Sequence, residues 1–395
     1  MLVLDKIKKT LVSIDKPTLL YAVVAVLPVI GFAPQLPTII VYLASISYAV
    51  YCLYKSRGLD GLMLALLIYI PIELLFAQPS SIFRPWPRYV LFSLLLMNVS
   101  PLLQSSILRQ YREDIFQCMM WTCVFLGVGS FFAFFLGINF MKVGAGDYIL
   151  HSSLFGGLTT HSMMLGPIAG IGACCLTNRA MIRGKAKDWI WVFISLFAVL
   201  LSASRSATMA AIAGVSVTVY YKSGTVSKFA KYIVIAILIL VSSSPLWEGA
   251  MDGVLEKNGS TSELNFDSRT ELWDERVEEF ASSPLVGVGF CAIDTDASYG
   301  LDISSGRVET GSSWLIVLSM LGIIGAFIVV PIVFRAFVLV RRRKDDLKAV
   351  LAGVLILFFV HMAAEGYIFA GGSFLAFLFW LTVGVATDSK FKVMQ

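Results

Sequence analysis

The chain has 395 residues, 57% of them hydrophobic and only 14% charged, and its mean hydropathy is +0.81. One water-soluble core cannot hide that much apolar surface, so a bilayer must take it. The net charge of +5 is scattered over short segments between apolar runs, which argues against a nucleic-acid surface.

The first 16 residues are a short basic amphipathic segment with no small-residue cleavage site, so no cleavable signal peptide is expected. Apolar runs of bilayer-crossing length follow at 19–34, 37–54, 59–78, 88–104, 116–139, 155–177, 188–203, 206–222, 230–247, 312–340, 347–367 and 370–387, which makes about twelve spans. Lys and Arg alternate along the breaks. One set holds Lys6, Lys8, Lys9 and Lys16, then Lys55 and Arg57, Arg109 and Arg112, Arg179 to Lys187, Lys222 to Lys231, Arg341 to Lys348, and Lys390 and Lys392. The other set is much poorer in cations, so both termini are expected on the cytoplasmic side. The fold class expected is an all-α integral membrane protein with about 12 transmembrane helices and one large outer loop carrying short amphipathic helices. On this division, residues 1–247 hold about nine spans, 248–311 form the loop and 312–395 hold about three spans. Five cysteines lie in or beside spans and Cys291 alone is in the outer loop, so no disulfide framework is expected.

Two interruptions stand out on the cation-poor side. The short one, Ser202-Ala-Ser-Arg-Ser-Ala207, places an arginine at the outer interface, where a guanidinium either snorkels to the headgroups, pairs, or serves a ligand. The long one runs from Glu248 to Gly311. In it Ser268-Arg-Thr-Glu271 has the spacing of a capping box, and Trp273, Val277 and Phe280 then form an apolar stripe. This predicts a short amphipathic helix lying on the outer membrane face and ended by Ser283-Pro284.

The order of Gly157-Leu-Thr-Thr-His-Ser162, Ser204-Arg-Ser206, Ser268-Arg-Thr-Glu-Leu-Trp273, Ser283-Pro-Leu-Val-Gly-Val-Gly289 and Ser312-Ser-Trp-Leu315 with Leu321-Gly-Ile-Ile-Gly325 resembles the O-antigen polymerase and O-antigen ligase superfamily. The likeness covers roughly Gly156 to Gly384. It implies a multi-pass protein of the bacterial inner membrane with a periplasmic active site. Its activity would be a metal-independent membrane glycosyl transfer from an undecaprenyl diphosphate-linked oligosaccharide to an acceptor hydroxyl. No cofactor is implied, and the partners would be membrane lipids and a chain-length regulator protein. Many relatives carry a His-Asn pair just before the span that follows the large loop. This chain has Glu309-Thr-Gly-Ser-Ser-Trp314 there, a departure that favours a polymerase over a ligase.

Within that resemblance Arg205 and Arg269 are the leading candidates for gripping the diphosphate, since a guanidinium can hold phosphate oxygens bidentately. Arg276, two helical turns after Arg269, is a lesser candidate and also a natural partner of Glu275 or Glu279. Arg84 and Arg88 flank Pro85-Trp-Pro87, as phosphate contacts or as interface anchors. Glu309 is the candidate catalytic base by position; its alternative is an ion pair with Arg307. His161, Arg307, His361 and Glu365 are possible cavity residues, with His361 and Glu365 expected on one face of a late span. Glu73 reads as a cavity residue or a helix-end group. A transporter or flippase is the reading from a different class, since it too would place polar groups inside the bilayer. Three histidines and dispersed aspartates predict no metal site, and no nucleotide-binding loop is present.

Overall fold

The computed structural model describes residues 14–141, 155–232, 264–293, 301–302, 307–308 and 311–388; over 264–269, 301–302 and 307–308 it describes the backbone path alone. The helices are α1 (Lys16–Val26), α2 (Thr38–Lys55), α3 (Gly61–Ala77), α4 (Pro85–Val99), α5 (Ser106–Phe135) and α6 (Ser162–Arg183). They continue with α7 (Ala186–Leu201), α8 (Arg205–Ser223), α9 (Leu264–Ser282), α10 (Ser313–Arg342), α11 (Leu347–His361) and α12 (Phe374–Thr387). Extended structure is confined, among the described residues, to two-residue pairings such as β1 (Gly58–Leu59) with β2 (Leu103–Gln104). The all-α reading therefore holds.

Four helices, α2, α5, α6 and α10, are long and apolar enough by themselves to cross a bilayer, and shorter apolar helices add to them: α1 with its 3-10 extension to Val29, α3, α11 and α12. Most of the expected span at 230–247 lies outside the described residues. Several boundaries differ from the hydropathy reading, among them those at 19–34, 116–139 and 155–177, where the helices are Lys16–Val26, Ser106–Phe135 and Ser162–Arg183. The run at 88–104 is helical only to Val99, because Leu103 and Gln104 turn out to pair with β1. The run at 347–367 ends its helix at His361 and continues as an irregular connection into Ser373. His361 and Glu365 therefore do not share a helical face.

Helix α12 explains why a short helix suffices. Every one of its residues from Phe374 to Thr387 is buried, with Trp380 fully enclosed. A helix apolar all round belongs inside a bundle, where it need not match the hydrocarbon thickness. Elsewhere in the bundle α6, α8 and α11 approach one another closely on small residues. A Cβ on Gly170 would sit 3.0 Å from the Ala211 Cβ, and one on Gly166 would press on Ala207 at 2.6 Å. Small residues are how membrane helices gain contact where no water is available to drive association.

Ion pairs gather among the segments rich in Lys and Arg. At the end rich in Lys and Arg, Arg112 grips Asp388 with Nε and Nη2, both at 2.7 Å, and Arg343 pairs with Glu113 and Asp345. Arg335 reaches Asp60 at 2.6 Å. At the other end Gly31 donates to the Leu158 carbonyl, and Arg88 Nη1 donates to the Cys291 carbonyl at 3.4 Å.

Candidate functional site

The site grows from a break in α10. Gly322 has φ 63° and ψ −168°, so the helix stops at Leu321 and resumes at Ile323. A broken helix strands backbone donors and acceptors, which must be satisfied inside a membrane protein. The segment Pro284–Gly289 does this: Pro284 O accepts from Ile323 N–H at 2.9 Å, Leu285 O accepts from Ile324 N–H at 3.3 Å, and the Val288 and Gly289 amides donate to Ser319 O and Met320 O at 2.9 and 3.2 Å. The approach is close enough that Gly287 lies on the Met320 carbonyl and Gly322 on the Leu285 carbonyl, with no room for a Cβ at either. Thus the two glycine-bearing motifs singled out in the sequence, Ser283–Gly289 and Leu321–Gly325, form one joint.

Helix α3 holds the joint from the side. Tyr69 Oη donates to Leu321 O at 2.8 Å, and one turn on, Glu73 accepts the Phe290 N–H at 3.1 Å. Glu73 is 1% exposed and its second carboxylate oxygen has no hydrogen-bond partner. Cys291, next to Phe290, lies against Arg88, and burial pushes its thiol up to about 12.

Outside the joint lies α9. Its helix begins at Leu264, so Ser268 is interior and the expected capping box does not start it. The face it buries is Leu272, Arg276 and Glu279, while Trp273 and Val277 of the predicted apolar stripe are exposed. An exposed apolar stripe suits a helix at the membrane surface, where lipid meets that side. Arg276 pairs with Glu279 at 2.9 Å and with Glu275 at 3.2 Å, and is fully buried. Arg269 is seven residues earlier in the same helix, its side chain outside the described residues; the same holds for Arg307, and Glu309 falls outside them altogether.

Helix α9 runs past the start of α10, where Gly311 touches Leu272 and Trp273. There the second cluster assembles. Ser313, fully buried, donates its N–H and its hydroxyl to the Glu365 carbonyl at 3.1 and 2.7 Å, and its Oγ accepts the Tyr367 N–H at 3.0 Å. His361 Nδ1 and Tyr367 Oη are 3.0 Å apart. Burial, aided by the neighbouring Glu365, raises the Tyr367 phenol well above its ordinary value, so it stays neutral. The Glu365 carboxylate lies 3.5 Å from Ser206 Oγ, which lies 3.2 Å from Ser204 Oγ. Ser204 caps α8 by accepting the Ala207 N–H at 3.3 Å, and Arg205, half-buried, is the first residue of that helix.

The structure therefore brings Arg205, Glu365, His361 and the α10 start together. His161 is at the cap of α6 rather than inside it: its Nδ1 accepts the Met163 N–H at 3.1 Å, and α6 packs on α8. Arg84 stands apart, exposed, in left-handed backbone at the start of α4, on a surface groove of about 530 Å³ with Trp86 and Gln78. The sequence reading missed Ser206, Ser313 and Tyr69 as site residues. Both serines stand in quoted motifs, but hydroxyls in helix first turns signal capping before anything else. Among the described residues no group of three His, Cys, Asp or Glu side chains is placed to hold a metal ion.

Residues 190–330 match the family model of O-antigen ligase. The match supports the resemblance to the O-antigen polymerase and ligase superfamily. It takes in α8, α9, the Pro284–Gly289 segment and the broken half of α10, and so includes Arg205, Arg269 and Arg276. Glu365 and His361 lie beyond the O-antigen ligase match, as do Arg84, Arg88 and His161. No curated protein matches the chain. The superfamily consists of membrane enzymes of the polymerase or ligase kind, and the apolar helices accord with a multi-pass bacterial membrane protein.

Proposed function

We propose that this chain is a polysaccharide polymerase that moves glycan from an undecaprenyl diphosphate carrier onto a lipid-linked repeat unit at the outer face of the inner membrane. The observation that carries the reading is Arg205 in the first turn of α8, half-buried, flanked by the Ser204 and Ser206 hydroxyls. A helix start carries positive potential and unpaired amides, and a guanidinium beside it offers a fork matched to phosphate oxygens. Arg269 supplies the second guanidinium in this reading, since α9 runs past the α10 start that Glu365 joins to α8. Two guanidinium groups would stabilise the departing diphosphate electrostatically, the part a divalent ion plays in other phosphate chemistry. The acceptor hydroxyl needs a base, for which the sequence offers Glu309.

A ligase moving finished glycan to lipid A-core or another terminal acceptor is the second reading, favoured by the description of the matched family as O-antigen ligase. Both readings need the same donor. A deletion strain separates them on a gel: single repeat units on the terminal acceptor identify a polymerase, whereas accumulated carrier-linked polymer identifies a ligase.

A further inference from the structure

We propose that a zwitterionic phospholipid sits in the bundle at its Lys- and Arg-rich end, with its phosphate on Arg179; the proposal is independent of the glycosyl-transfer reading above. Helices α1 and α6 both pack on α5, and a groove of about 960 Å³ lies between them, floored by α5 and bordered at one end by the start of α11. Its walls are apolar over most of their length, with Leu19, Val23 and Leu27 on α1, Val124 and Phe125 on α5 and Leu176 on α6. The charged residues that line it are Glu113, Arg179, Arg183, Asp345 and Asp346, all from segments rich in Lys and Arg. A groove that is apolar along its body and charged at one end matches an amphiphile standing in one leaflet.

Length decides between occupants. Along α5 the lining runs from Glu113 to Phe125, roughly 18 Å at the α-helical rise of about 1.5 Å per residue. The hydrocarbon core is about 30 Å thick, so one leaflet is about 15 Å deep. Acyl chains fit that depth, whereas a spanning helix from a partner would need about twice as much. Charge then chooses the headgroup. Arg183 pairs with Asp188 at 3.8 Å, Glu113 with Arg109 and Arg343, Asp345 with Arg343, and Asp346 with Lys222. Arg179 makes no ion pair among the described residues, since Asp188, the carboxylate that acts on it, is taken by Arg183. Its guanidinium carbon lies 5.8 Å from the ring centre of Trp121, which also lines the groove. A guanidinium carried on an indole at the hydrocarbon edge suits a phosphodiester. Yet the lining holds three carboxylates to two guanidinium groups, which repels a headgroup of net negative charge and attracts an ammonium. Phosphate and ammonium together describe an aminophospholipid such as phosphatidylethanolamine.

The test uses the full chain in detergent, stripped of lipid and titrated with phosphatidylethanolamine, with bound lipid counted by native mass spectrometry. The wild type should bind one molecule tightly. Arg179→Ala should raise its Kd about 10-fold or more, as expected for loss of a charge-assisted contact. Val23→Trp should weaken binding too, because Val23 is an exposed groove residue and an indole there fills the space. Arg57→Ala removes an exposed cation outside the groove and should stay within about 2-fold of wild type. If Arg179→Ala fails to accumulate, Val23→Trp is read alone, and wild-type affinity there overturns the proposal. Wild-type affinity in Arg179→Ala overturns it as well. Phosphatidylglycerol bound as tightly as phosphatidylethanolamine overturns the zwitterionic headgroup. A lipid-free dimer that Val23→Trp dissociates would give the groove to a second copy of the chain and overturn the lipid assignment.

Discussion

The Phe290 amide donates to the Glu73 carboxylate at 3.1 Å, tying the segment after the surface helix α9 to a helix more than two hundred residues earlier. Glu73→Ala would leave that buried N–H without an acceptor, at a cost of about 1–3 kcal/mol. Glu73→Gln keeps a carbonyl oxygen in the same place and should be close to neutral. Thermal unfolding in detergent reads both, and equal destabilisation by the two variants would show that the Phe290 contact is not what holds the segment.

The joint between Pro284–Gly289 and the α10 break sets a stricter demand. Gly287 and Gly322 both have φ above +60°, and each faces a carbonyl of the other segment without space for a Cβ. Alanine at either position meets backbone strain of order 1–3 kcal/mol as well as a collision with main chain that cannot swing aside. Gly287→Ala and Gly322→Ala should insert in the membrane at normal levels yet lose polymer formation. Alanine at Gly184, which is also left-handed but has open space around it, should affect activity little. Wild-type polymer from Gly322→Ala would mean that the break is dispensable.

Much of this was legible in the sequence, for reasons that also explain what was not. Hydropathy locates α2, α5 and α6 because a lipid-facing helix must be apolar along its length. The same rule made 312–340 read as an unbroken span, since a glycine in an apolar run is compatible with helix. The break at Gly322 comes from Leu285 and Val286 pressing on it, a contact made across the fold. Likewise Trp273, Val277 and Phe280 gave the period of α9; that Leu272, Arg276 and Glu279 form its buried face depended on contacts across the fold. Burying Arg276 against Glu279 neutralises the pair inside and leaves the apolar stripe for the membrane side. Arg205 was visible as a charge in an apolar neighbourhood; that Glu365 would reach its helix depended on where α11 ends.

At the opposite end, Arg112 and Asp388 make a two-point bridge, and Arg112 Nη1 also donates to the Ser100 and Leu103 carbonyls at 3.2 and 3.0 Å. Both side chains are 3% exposed. Removing one partner strands the other charge, so Asp388→Ala should destabilise by about 3–5 kcal/mol. The double variant Arg112→Met with Asp388→Ala should recover part of that loss. A double variant no more stable than Asp388→Ala would assign the cost to lost packing at the end of α12 rather than to the stranded guanidinium.

His161 predicts a dependence on pH. Its Nδ1 accepts the Met163 N–H, and partial burial holds the imidazole below its ordinary value. Protonation would remove the acceptor and uncap α6. In the unfolded chain the group titrates near about 6.5, and in the folded chain lower. Between those values the unfolded state binds more protons, so stability rises with pH there. The contribution is complete above the unfolded value and disappears as pH falls through the folded one. His161→Asn keeps a capping acceptor without a titrating group. A detergent melting series from neutral to mildly acidic pH should slope less for this variant than for wild type, and identical slopes would remove His161 from the account.

Arg205 separates charge from geometry. If its role is to grip a diphosphate through the planar fork, lysine at that position keeps the positive charge at the α8 start but loses the paired donors. Arg205→Lys should then raise the KM for the lipid-linked donor about 10-fold, roughly 1.4 kcal/mol, and Arg205→Ala should cost considerably more, in kcat as well as in KM. A snorkelling anchor would behave differently, because lysine snorkels as readily as arginine and would restore wild-type turnover. Full recovery by Arg205→Lys, with Arg205→Ala lowering only the amount of protein in the membrane, would therefore reduce Arg205 to an interfacial anchor.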